Sequence, residues 1–283
     1  MKSVNMKTND YQGVVYLDEF NERCKLTEYK GNLEKLLADI KPLCQKYQLT
    51  KLIVYGKRDH IKVLHASMFE LEAYIKGFFG GEDMFYFCRY FQESRRQTSN
   101  WMKEDHILEQ INQKKHVKNK SINETSLFPL RQAGPADAGA LADLYKEVFK
   151  VYPTPLHQEE YIKETMEEGT IYFFVEDKER VISAASAEIN SILSNAELTD
   201  CATLPEYRTH KLMKFLLREL EKKLVSKGIF NSFSIARADS VGMNAVLSQL
   251  NYEYTGRLKN NCYIFENLEN MNVWCKDLSD HIC

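Results

Sequence analysis

The feature that most constrains the fold of this chain is an apolar strand that runs directly into a long amphipathic helix. The strand is predicted over Ala196–Leu204, where apolar and polar side chains largely alternate. The segment Pro205-Glu206-Tyr207-Arg208 follows at once, and the helical spacing of apolar residues predicts a helix over Tyr207–Lys227 that ends at Gly228. Any fold for this chain must therefore place a strand end beside the first turn of its longest helix.

The C-terminal half of the chain predicts the element order β-α-α-β-β-β-α-β-α-β-β around this unit. Pro153 and Pro155 separate the first two helices, because neither can continue a helical hydrogen-bond ladder. Strands are favoured where β-branched and aromatic residues cluster, and helices where apolar residues recur at helical spacing. The other predicted strands are 127–131, 171–175, 181–189, 232–237, 252–258 and 262–268, and the other helices are 135–150, 158–167 and 241–250.

The first hundred residues predict a smaller α/β domain. Its predicted elements are a helix over Leu33–Tyr47 and strands over Val14–Leu17, Leu52–Tyr55, Met68–Phe78 and Met84–Phe91. Residues 102–126 contain a basic run and few large apolar side chains, which predicts the end of a helix followed by a linker. We therefore divide the chain into an N-terminal α/β domain over 1–110, a linker over 111–126 and a C-terminal domain over 127–283.

Composition argues against several functional classes. The 38 basic and 40 acidic residues give a formal net charge of −2, which disfavours a nucleic-acid-binding protein, and the basic run is interpreted as a solvated surface. No stretch approaches the roughly 18 apolar residues of a membrane span, and the first residues lack an apolar signal core. The seven cysteines are scattered without a C-x-x-C pair, which predicts neither a zinc ribbon nor a disulfide framework. We expect free thiols, a cytoplasmic location, no metal, no membrane and no nucleic acid.

The element order and the Pro-Glu-Tyr-Arg turn resemble the GNAT superfamily of acyl-CoA N-acetyltransferases. The resemblance implies an α+β fold with a mixed, mostly antiparallel central sheet, preceded here by the smaller α/β domain. It also implies acetyl-CoA as co-substrate, a small-molecule amine as acceptor and no metal. In the family, the strand before the turn diverges from its neighbour. The loop after it wraps the pyrophosphate of coenzyme A, where main-chain N–H groups and the helix dipole face the anion.

Carried over by position, the resemblance assigns the cofactor-binding loop. Lys211 replaces the first usual glycine and Met213 the second, although a helical backbone at these positions would not need glycine. His210 and Lys211 would contact phosphate, and solvated first-turn side chains are the alternative. The predicted loop residues are Arg208, Thr209, His210, Lys211, Leu212 and Met213.

The resemblance also assigns residues to the pantetheine arm of the cofactor. Main-chain amides of the diverging strand bind this arm and the thioester carbonyl in the family, and by position they belong to Cys201, Ala202 and Thr203. Asn244 is a further cofactor-binding candidate, one turn beyond the position of the family's usual asparagine. The family's tyrosine acid aligns with Leu247, so no general acid is identified.

Glu197 matches in position the carboxylate that some GNAT enzymes use as a general base. An alkyl ammonium has a pKa near 10.4, so its deprotonation at neutral pH costs about 4–5 kcal/mol and favours a nearby base. An exposed strand charge is the alternative, and Glu188 on the neighbouring strand is a weaker candidate. Cys201 is interpreted as a small buried residue rather than an acyl-carrying nucleophile, because nothing near it in sequence would activate a thiolate.

Segments across nearly the whole chain are similar to one GNAT branch, the β-lysine N6-acetyltransferases of bacteria and archaea. These segments include Tyr16–Arg23, Ile75–Asp83, Val148–Leu156 and Ala236–Asn244. The similarity implies direct acetyl transfer, in a ternary complex, to the terminal amine of β-lysine, which yields the compatible solute N6-acetyl-β-lysine. The alternatives are acetylation of another amine or of a protein lysine, and a non-catalytic acyl-CoA-binding module.

The acceptor has one carboxylate and two amines, and the resemblance suggests partners for them. Arg237 would bind the carboxylate, and Tyr152 and Glu188 would line the acceptor pocket. A surface ion pair and a packed aromatic residue are the alternative roles of Arg237 and Tyr152. The N-terminal domain is expected to cover the pocket, with Glu82 and Asp83 as ammonium partners or as ordinary turn residues. The sequence leaves a homodimer open.

Overall fold

The computed structural model describes residues 2–117, 126–150, 154–264 and 267–279, which form two mixed sheets with helices packed on them. Half of the predicted linker, residues 118–125, and the candidate residue Tyr152 lie outside the described residues. No helix in the described part of the chain is long and apolar enough to cross a membrane. The cysteines that lie in those ranges form no disulfide.

The N-terminal sheet has six strands in the order β1-β2-β3-β4-β6-β5. Only β3 and β4 among these neighbours are parallel, and helix α1 connects them as a crossover. Apolar residues of α1 pack on β2 and β3 and form the core of this half. The strands are β1 (Lys2–Lys7), β2 (Tyr11–Asp18), β3 (Arg23–Gly31), β4 (Lys51–Gly56), β5 (Glu70–Phe79) and β6 (Glu82–Tyr90). The helices are α1 (Leu33–Lys46), α2 (Ile61–Ala66), α3 (Glu93–Arg96) and α4 (Trp101–Val117).

The C-terminal sheet has seven strands in the order β12-β13-β11-β10-β9-β8-β7. Only β10 and β11 among these neighbours are parallel, so the expected mixed, mostly antiparallel sheet is confirmed. Helices α5 and α7 pack on β9 and β10 over the largest core. The strands are β7 (Leu130–Gln132), β8 (Ile171–Asp177), β9 (Arg180–Asn190), β10 (Asn195–Thr203), β11 (Asn231–Arg237), β12 (Glu253–Ile264) and β13 (Asn267–Asp277). The helices are α5 (Ala138–Val148), α6 (Glu159–Glu167), α7 (Leu212–Ser226) and α8 (Val241–Gln249).

Several predicted elements have the wrong bounds. Helix α7 begins at Leu212 rather than at Tyr207, because residues 205–210 form a separate 3-10 helix. Strand β12 is one long irregular strand, and β13 was not predicted over most of its length. Its Asn270 and Asn272 are typical of turns, but both are buried and hydrogen-bonded here. Helix α4 extends to Val117 and packs on α8, so the predicted domain boundary at 110 falls inside a helix.

The two sheets pack against each other through an apolar core of their own. Phe78, Met84 and Tyr86 from the N-terminal sheet meet Phe233 and Val273 from the C-terminal sheet. Beside this core, a cavity of about 1040 Å³ lies between β2 and β3 on one side and the turn at 190–193 on the other. The packing therefore joins the halves at one end of their interface and leaves an open space at the other.

Candidate active site

Strands β10 and β11 separate partway along their length. Parallel pairing joins Asn195–Glu197 to Asn231–Phe233, whereas β11 continues to pair with β13 as far as Arg237. The Ser234 hydroxyl donates to the Leu198 carbonyl (2.7 Å) just beyond the last pair. Within the described structure, the edge of β10 past this point has no strand paired on the β11 side, so an extended ligand can bind its main chain there.

A β-bulge lies in β10 where the two strands separate. Thr199 pairs with Ser186 and Ala202 with Ala184, so β10 has one more residue than β9 over this interval. Asp200, inside the bulge, takes φ 51°, and its carboxylate accepts a hydrogen bond from the Ser186 hydroxyl (2.7 Å). The bulge therefore interrupts the alternation of side chains between the two faces of the sheet that the sequence predicts for this strand. A bulge also bends its strand, here just before the turn.

Of the residues predicted to bind the pantetheine arm, Cys201 lies within the bulge, and Ala202 and Thr203 follow it. Cys201 and Thr203 are half-buried, and Ala202 is buried. The Cys201 thiol donates to the Thr199 carbonyl (3.5 Å), and burial raises its pKa, so the thiol is protonated near neutral pH. These contacts favour Cys201 as a strand residue over an acyl-carrying nucleophile.

The predicted pyrophosphate loop is a 3-10 helix followed by one residue in a left-handed conformation. That residue is Lys211, with φ 57° and ψ 24°, so the expectation of a helical backbone at this position is wrong. The exposed loop side chains are Arg208, Thr209, His210 and Lys211, and the side chains packed on the core are Leu212 and Met213. The loop therefore offers an anion exposed basic side chains and the first main-chain N–H groups of α7.

Two of the exposed loop side chains already contact the protein. The Arg208 Nε atom donates to the Thr203 carbonyl (3.4 Å), which ties the loop to the end of β10. The His210 ring packs edge-on against Phe128, with ring centres 5.4 Å apart. His210 is thus held at the surface beside the turn, a position open to both a phosphate contact and simple solvation.

Asn244 has no hydrogen-bonding capacity left for a cofactor. Its side chain is fully buried, and its amide donates to the carbonyls of Arg237 (2.9 Å) and Ser240 (2.8 Å). Its oxygen accepts from the side chains of Asn272 (2.9 Å) and Trp274 (2.9 Å). Because two donors and two acceptor sites are all a carboxamide has, this side chain holds α8 to β11 and β13 instead of contacting coenzyme A.

Arg237 is paired with carboxylates of the protein. Its guanidinium lies 3.1 Å from Asp239 and 3.0 Å from Glu269. Arg237 is the last residue of β11, and it lies four residues beyond Phe233, the last β11 residue that pairs with β10. The structural role that the sequence left open, an ion pair, fits these contacts better than capture of an acceptor carboxylate.

Glu188 and Glu197 lie directly opposite each other on β9 and β10. Neither carboxylate forms a hydrogen bond or an ion pair with any residue in the described ranges. Burial and the charge of Glu188 raise the pKa of Glu197 to about 8, and burial and the charge of Asp200 raise the pKa of Glu188 to about 7. Both residues line a recess of about 240 Å³, so the structure brings the predicted base and the weaker candidate into one site.

The N-terminal domain forms the opposite wall of this recess. Tyr55, Phe78 and Tyr86 line it together with the two glutamates. The side-chain amide of Asn195, at the start of β10, donates to the Phe78 carbonyl (2.7 Å), which fixes the β5–β6 hairpin over the site. The recess is therefore built from both halves of the chain.

The acidic residues predicted in this wall do not line the recess. Glu82 pairs with Lys57 (3.0 Å), and the Asp83 carboxylate accepts from the Gly77 main-chain N–H (3.0 Å) within the hairpin. The sequence did not single out the aromatic side chains that do line it, although aromatic residues cluster conspicuously in β5 and β6. Leu247, at the position of the family's tyrosine acid, is fully buried.

Known proteins resemble this chain over nearly its whole length. Residues 139–248 match the model described as the acetyltransferase (GNAT) family. The chain is 44% identical over 275 residues to N-acetyltransferase YodP of Bacillus subtilis (strain 168), covering 97% of this chain and 99% of that protein. It is 37% identical to beta-lysine N(6)-acetyltransferase of Methanosarcina mazei, covering 89% of this chain and 100% of that protein. It is 27% identical to the protein of the same name from Methanococcus maripaludis, covering 93% and 95%. These matches span both sheets.

Proposed function

Because this chain belongs to the acetyltransferase (GNAT) family and is an acetyl-CoA-dependent N-acetyltransferase, we propose that its acceptor is the terminal amine of β-lysine. Two relatives that match nearly the whole chain are named beta-lysine N(6)-acetyltransferase, which supports this acceptor. The product is then N6-acetyl-β-lysine. A non-catalytic acyl-CoA-binding module is disfavoured, because these relatives are named for acetyl transfer.

The glutamate pair in the recess is the observation that carries the proposal. Glu188 and Glu197 face each other, and neither forms a hydrogen bond or an ion pair in the described structure, although the charge of Lys25 acts to lower both pKa values. Like charges directly opposite on antiparallel strands are destabilising, and buried carboxylates need partners. A diamine supplies an ammonium for each carboxylate, whereas an acceptor with a single amine leaves one of them unpaired. The recess therefore fits β-lysine, which carries two amines.

Glu197 is the general base in this proposal. The acceptor ammonium has a pKa near 10.4 and must lose a proton before its nitrogen can attack. The raised pKa of Glu197 reduces the difference between its pKa and that of the ammonium, so transfer of the proton from the ammonium to Glu197 costs less free energy. The nitrogen then attacks the thioester carbonyl and the new C–N bond forms. As the C–S bond breaks, the nitrogen loses its second proton to solvent to give the neutral amide, and the departing thiolate takes a proton from solvent. Main-chain N–H groups of Cys201–Thr203 stabilise the charge on the carbonyl oxygen.

Acetyl-CoA is proposed to lie along the separated edge of β10, with its pyrophosphate at the loop Arg208–Met213. Direct attack in a ternary complex is favoured over an acyl-enzyme, because the Cys201 thiol is held protonated. Acetylation removes one positive charge, so the product is a zwitterion without net charge. This property suits a compatible solute, and a cytoplasmic location, where acetyl-CoA is available, fits the same proposal.

The proposal is tested by following coenzyme A release with acetyl-CoA and each of three acceptors: β-lysine, α-lysine and a lysine-containing peptide. We expect kcat/KM for β-lysine to exceed the other two by about tenfold or more, because the pocket must match the spacing of the two amines. Fragmentation of the product in a mass spectrometer should locate the acetyl group on N6. A higher kcat/KM for the peptide or for α-lysine would refute β-lysine as the acceptor.

A further inference from the structure

The N-terminal sheet has two chemically different faces. On β2 and β3, the side chains of Val15, Leu17, Cys24 and Leu26 pack beneath α1 as an apolar core. The alternate residues face the cavity of about 1040 Å³, and they are Gln12, Val14, Tyr16, Lys25, Thr27 and Tyr29. Because this second face is polar and aromatic and is not packed, it has the character of a ligand-binding wall.

Lys25 is the most buried lysine of this wall. It also differs from the others in being buried without a hydrogen-bonding partner. Lys57 pairs with Glu82, and Lys7 and Lys30 are exposed at the rim. Lys25 is half-buried on the central strand β3, and its ammonium forms no hydrogen bond or ion pair with any residue that the structure describes. Burial and the nearby charge of Arg23 lower its pKa to about 8, whereas the charges of Asp18 and Glu197 oppose this shift.

Basic residues near Lys25 in the same sheet do have partners within the protein. Arg23, two residues earlier on β3, pairs with Asp18 (2.8 Å) and donates to the Asn261 carbonyl (2.9 Å). Lys51, on β4, is fully buried and pairs with Glu72 (2.8 Å). A half-buried ammonium without a hydrogen-bonded partner is costly, and an anionic group of a bound ligand that pairs with it would reduce this cost.

The cavity that Lys25 lines adjoins the recess that Glu197 lines. Tyr55, Phe78 and Asn190 line both spaces. The charge of Glu197 acts to raise the pKa of Lys25, and the charge of Lys25 acts to lower the pKa of Glu197. A molecule that places an amine at Glu197 therefore extends its other end past the shared aromatic wall toward Lys25.

We propose that the ammonium of Lys25 binds the carboxylate of the acceptor and so selects amino acids with a distal amine over simple diamines. The inference rests on the proposed function, because it concerns the other end of the same acceptor. It assigns the N-terminal domain a direct part in acceptor recognition. The site then offers two carboxylates and one ammonium to a ligand that carries two ammonium groups and one carboxylate.

The experiment compares β-lysine with 1,4-diaminobutane, which keeps the spacing of the two amines but lacks the carboxylate. The ratio of their kcat/KM values is measured for the wild type and for Lys25→Met, which removes the charge and keeps the length of the side chain. We expect this ratio to fall by about 10-fold to 100-fold, the usual effect of losing a charge-assisted hydrogen bond. The loss should be mainly in KM for β-lysine, and Lys25→Arg should restore part of it.

Lys41→Met is the matched control, because Lys41 is exposed on α1, away from the cavity. Its ratio should equal that of the wild type. If Lys25→Met lowers kcat/KM for both acceptors equally, Lys25 acts through the fold or through Glu197, and the proposal is overturned. An unchanged ratio, or a wild type that uses the diamine as well as β-lysine, also overturns it.

These outcomes are distinct from failure of the proposed function. A wild type that acetylates α-lysine but not β-lysine refutes β-lysine as the acceptor. The role of Lys25 is then decided by the same ratio for α-lysine and 1,5-diaminopentane, again with Lys25→Met. A wild type inactive with both diamino acids but active with a diamine refutes both proposals.

Discussion

Glu197 is the residue on which the proposed chemistry most directly depends. Its carboxylate lies in a recess beside the separated edge of β10, without a partner in the described residues. Glu197→Gln keeps the shape of the side chain but cannot accept the proton of the ammonium. We expect kcat to fall by about 10²-fold to 10⁴-fold, with KM for acetyl-CoA nearly unchanged. The measurement is coenzyme A release under saturating β-lysine.

Glu179→Gln is the matched control for this substitution. Glu179 is exposed in the turn between β8 and β9, and it lines neither the recess nor the cavity. Its kcat should equal that of the wild type. If the Glu197→Gln enzyme is also as fast as the wild type, another group accepts the proton.

The same glutamate pair predicts how stability depends on pH. Both carboxyl groups titrate near pH 4.3 in the unfolded chain, whereas their pKa values in the folded protein are raised. The folded state therefore binds more protons. The stabilisation is complete below about pH 4 and is lost as pH rises through the folded pKa values of about 7 and 8.

Glu188→Gln tests this dependence, because it removes the charge that repels Glu197. We expect the variant to be more stable than the wild type by about 1 kcal/mol at pH 8.5, a figure reduced for water in the recess. At pH 5.5, where the folded wild type keeps its protons, this advantage should shrink or reverse. Thermal unfolding at the two pH values measures the effect, and an equal difference in Tm at both would contradict it.

At the scale of elements, the junction of β10 and α7 is where sequence and structure differ most. The predicted strand and helix both form, because their apolar periodicities are local and strong. The bulge at Asp200 and the left-handed Lys211 were not predicted. Aspartate is among the residue types enriched in the left-handed region, so Asp200 carries a weak local signal for its conformation. Lysine carries no such signal, so tertiary packing of the turn overrides local preference at Lys211.

The backbone at Lys211 gives a prediction for this junction. An L-residue in the left-handed region costs about 1–2 kcal/mol, which glycine avoids. Lys211→Gly and Lys211→Ala both remove the lysine side chain beyond Cβ. The difference between their free energies of unfolding therefore reports the cost of the left-handed backbone conformation. We expect the glycine variant to be the more stable by about 1 kcal/mol, measured by urea unfolding. In a helix interior the order would be reversed, so a more stable alanine variant would show that residue 211 is helical.

At the scale of the whole molecule, the packing of the two sheets creates the recess that we propose as the acceptor site. Strand β5 packs on β12 and β13, and Gly256 of β12 lies against the backbone of β5. A Cβ atom at Gly256 would lie 2.2 Å from the Glu72 carbonyl oxygen and 2.6 Å from the Ala73 Cα atom, and its φ is +149°. The close contact between the halves therefore requires glycine at this position.

Gly256→Ala should consequently force the sheets apart and destabilise the whole protein. We expect the free energy of unfolding to fall by about 2–4 kcal/mol, with a higher KM for β-lysine because both halves line the pocket. Gly242→Ala is the control, because Gly242 lies in α8 with open space around it and should be neutral or slightly stabilising. Equal stability of the two variants would show that the halves are not held together at Gly256.

The sequence by itself determined the order of elements in the C-terminal half and the position of Glu197 on a strand before the long helix. These features could be predicted because apolar periodicity and turn residues determine secondary structure through interactions between residues that are close together in the sequence. The expected acetyltransferase family follows from the same local segments, and the comparisons confirm it.

Only the tertiary structure decided which of the candidate side chains are available to a ligand. Asn244 and Arg237 carry suitable chemical groups, but partners on β13 and neighbouring segments occupy them. Lys25 and Glu197 belong to different sheets, and only the packing of those sheets brings them together. Hydrogen bonds and burial depend on contacts between residues far apart in the chain, which no local pattern of sequence records.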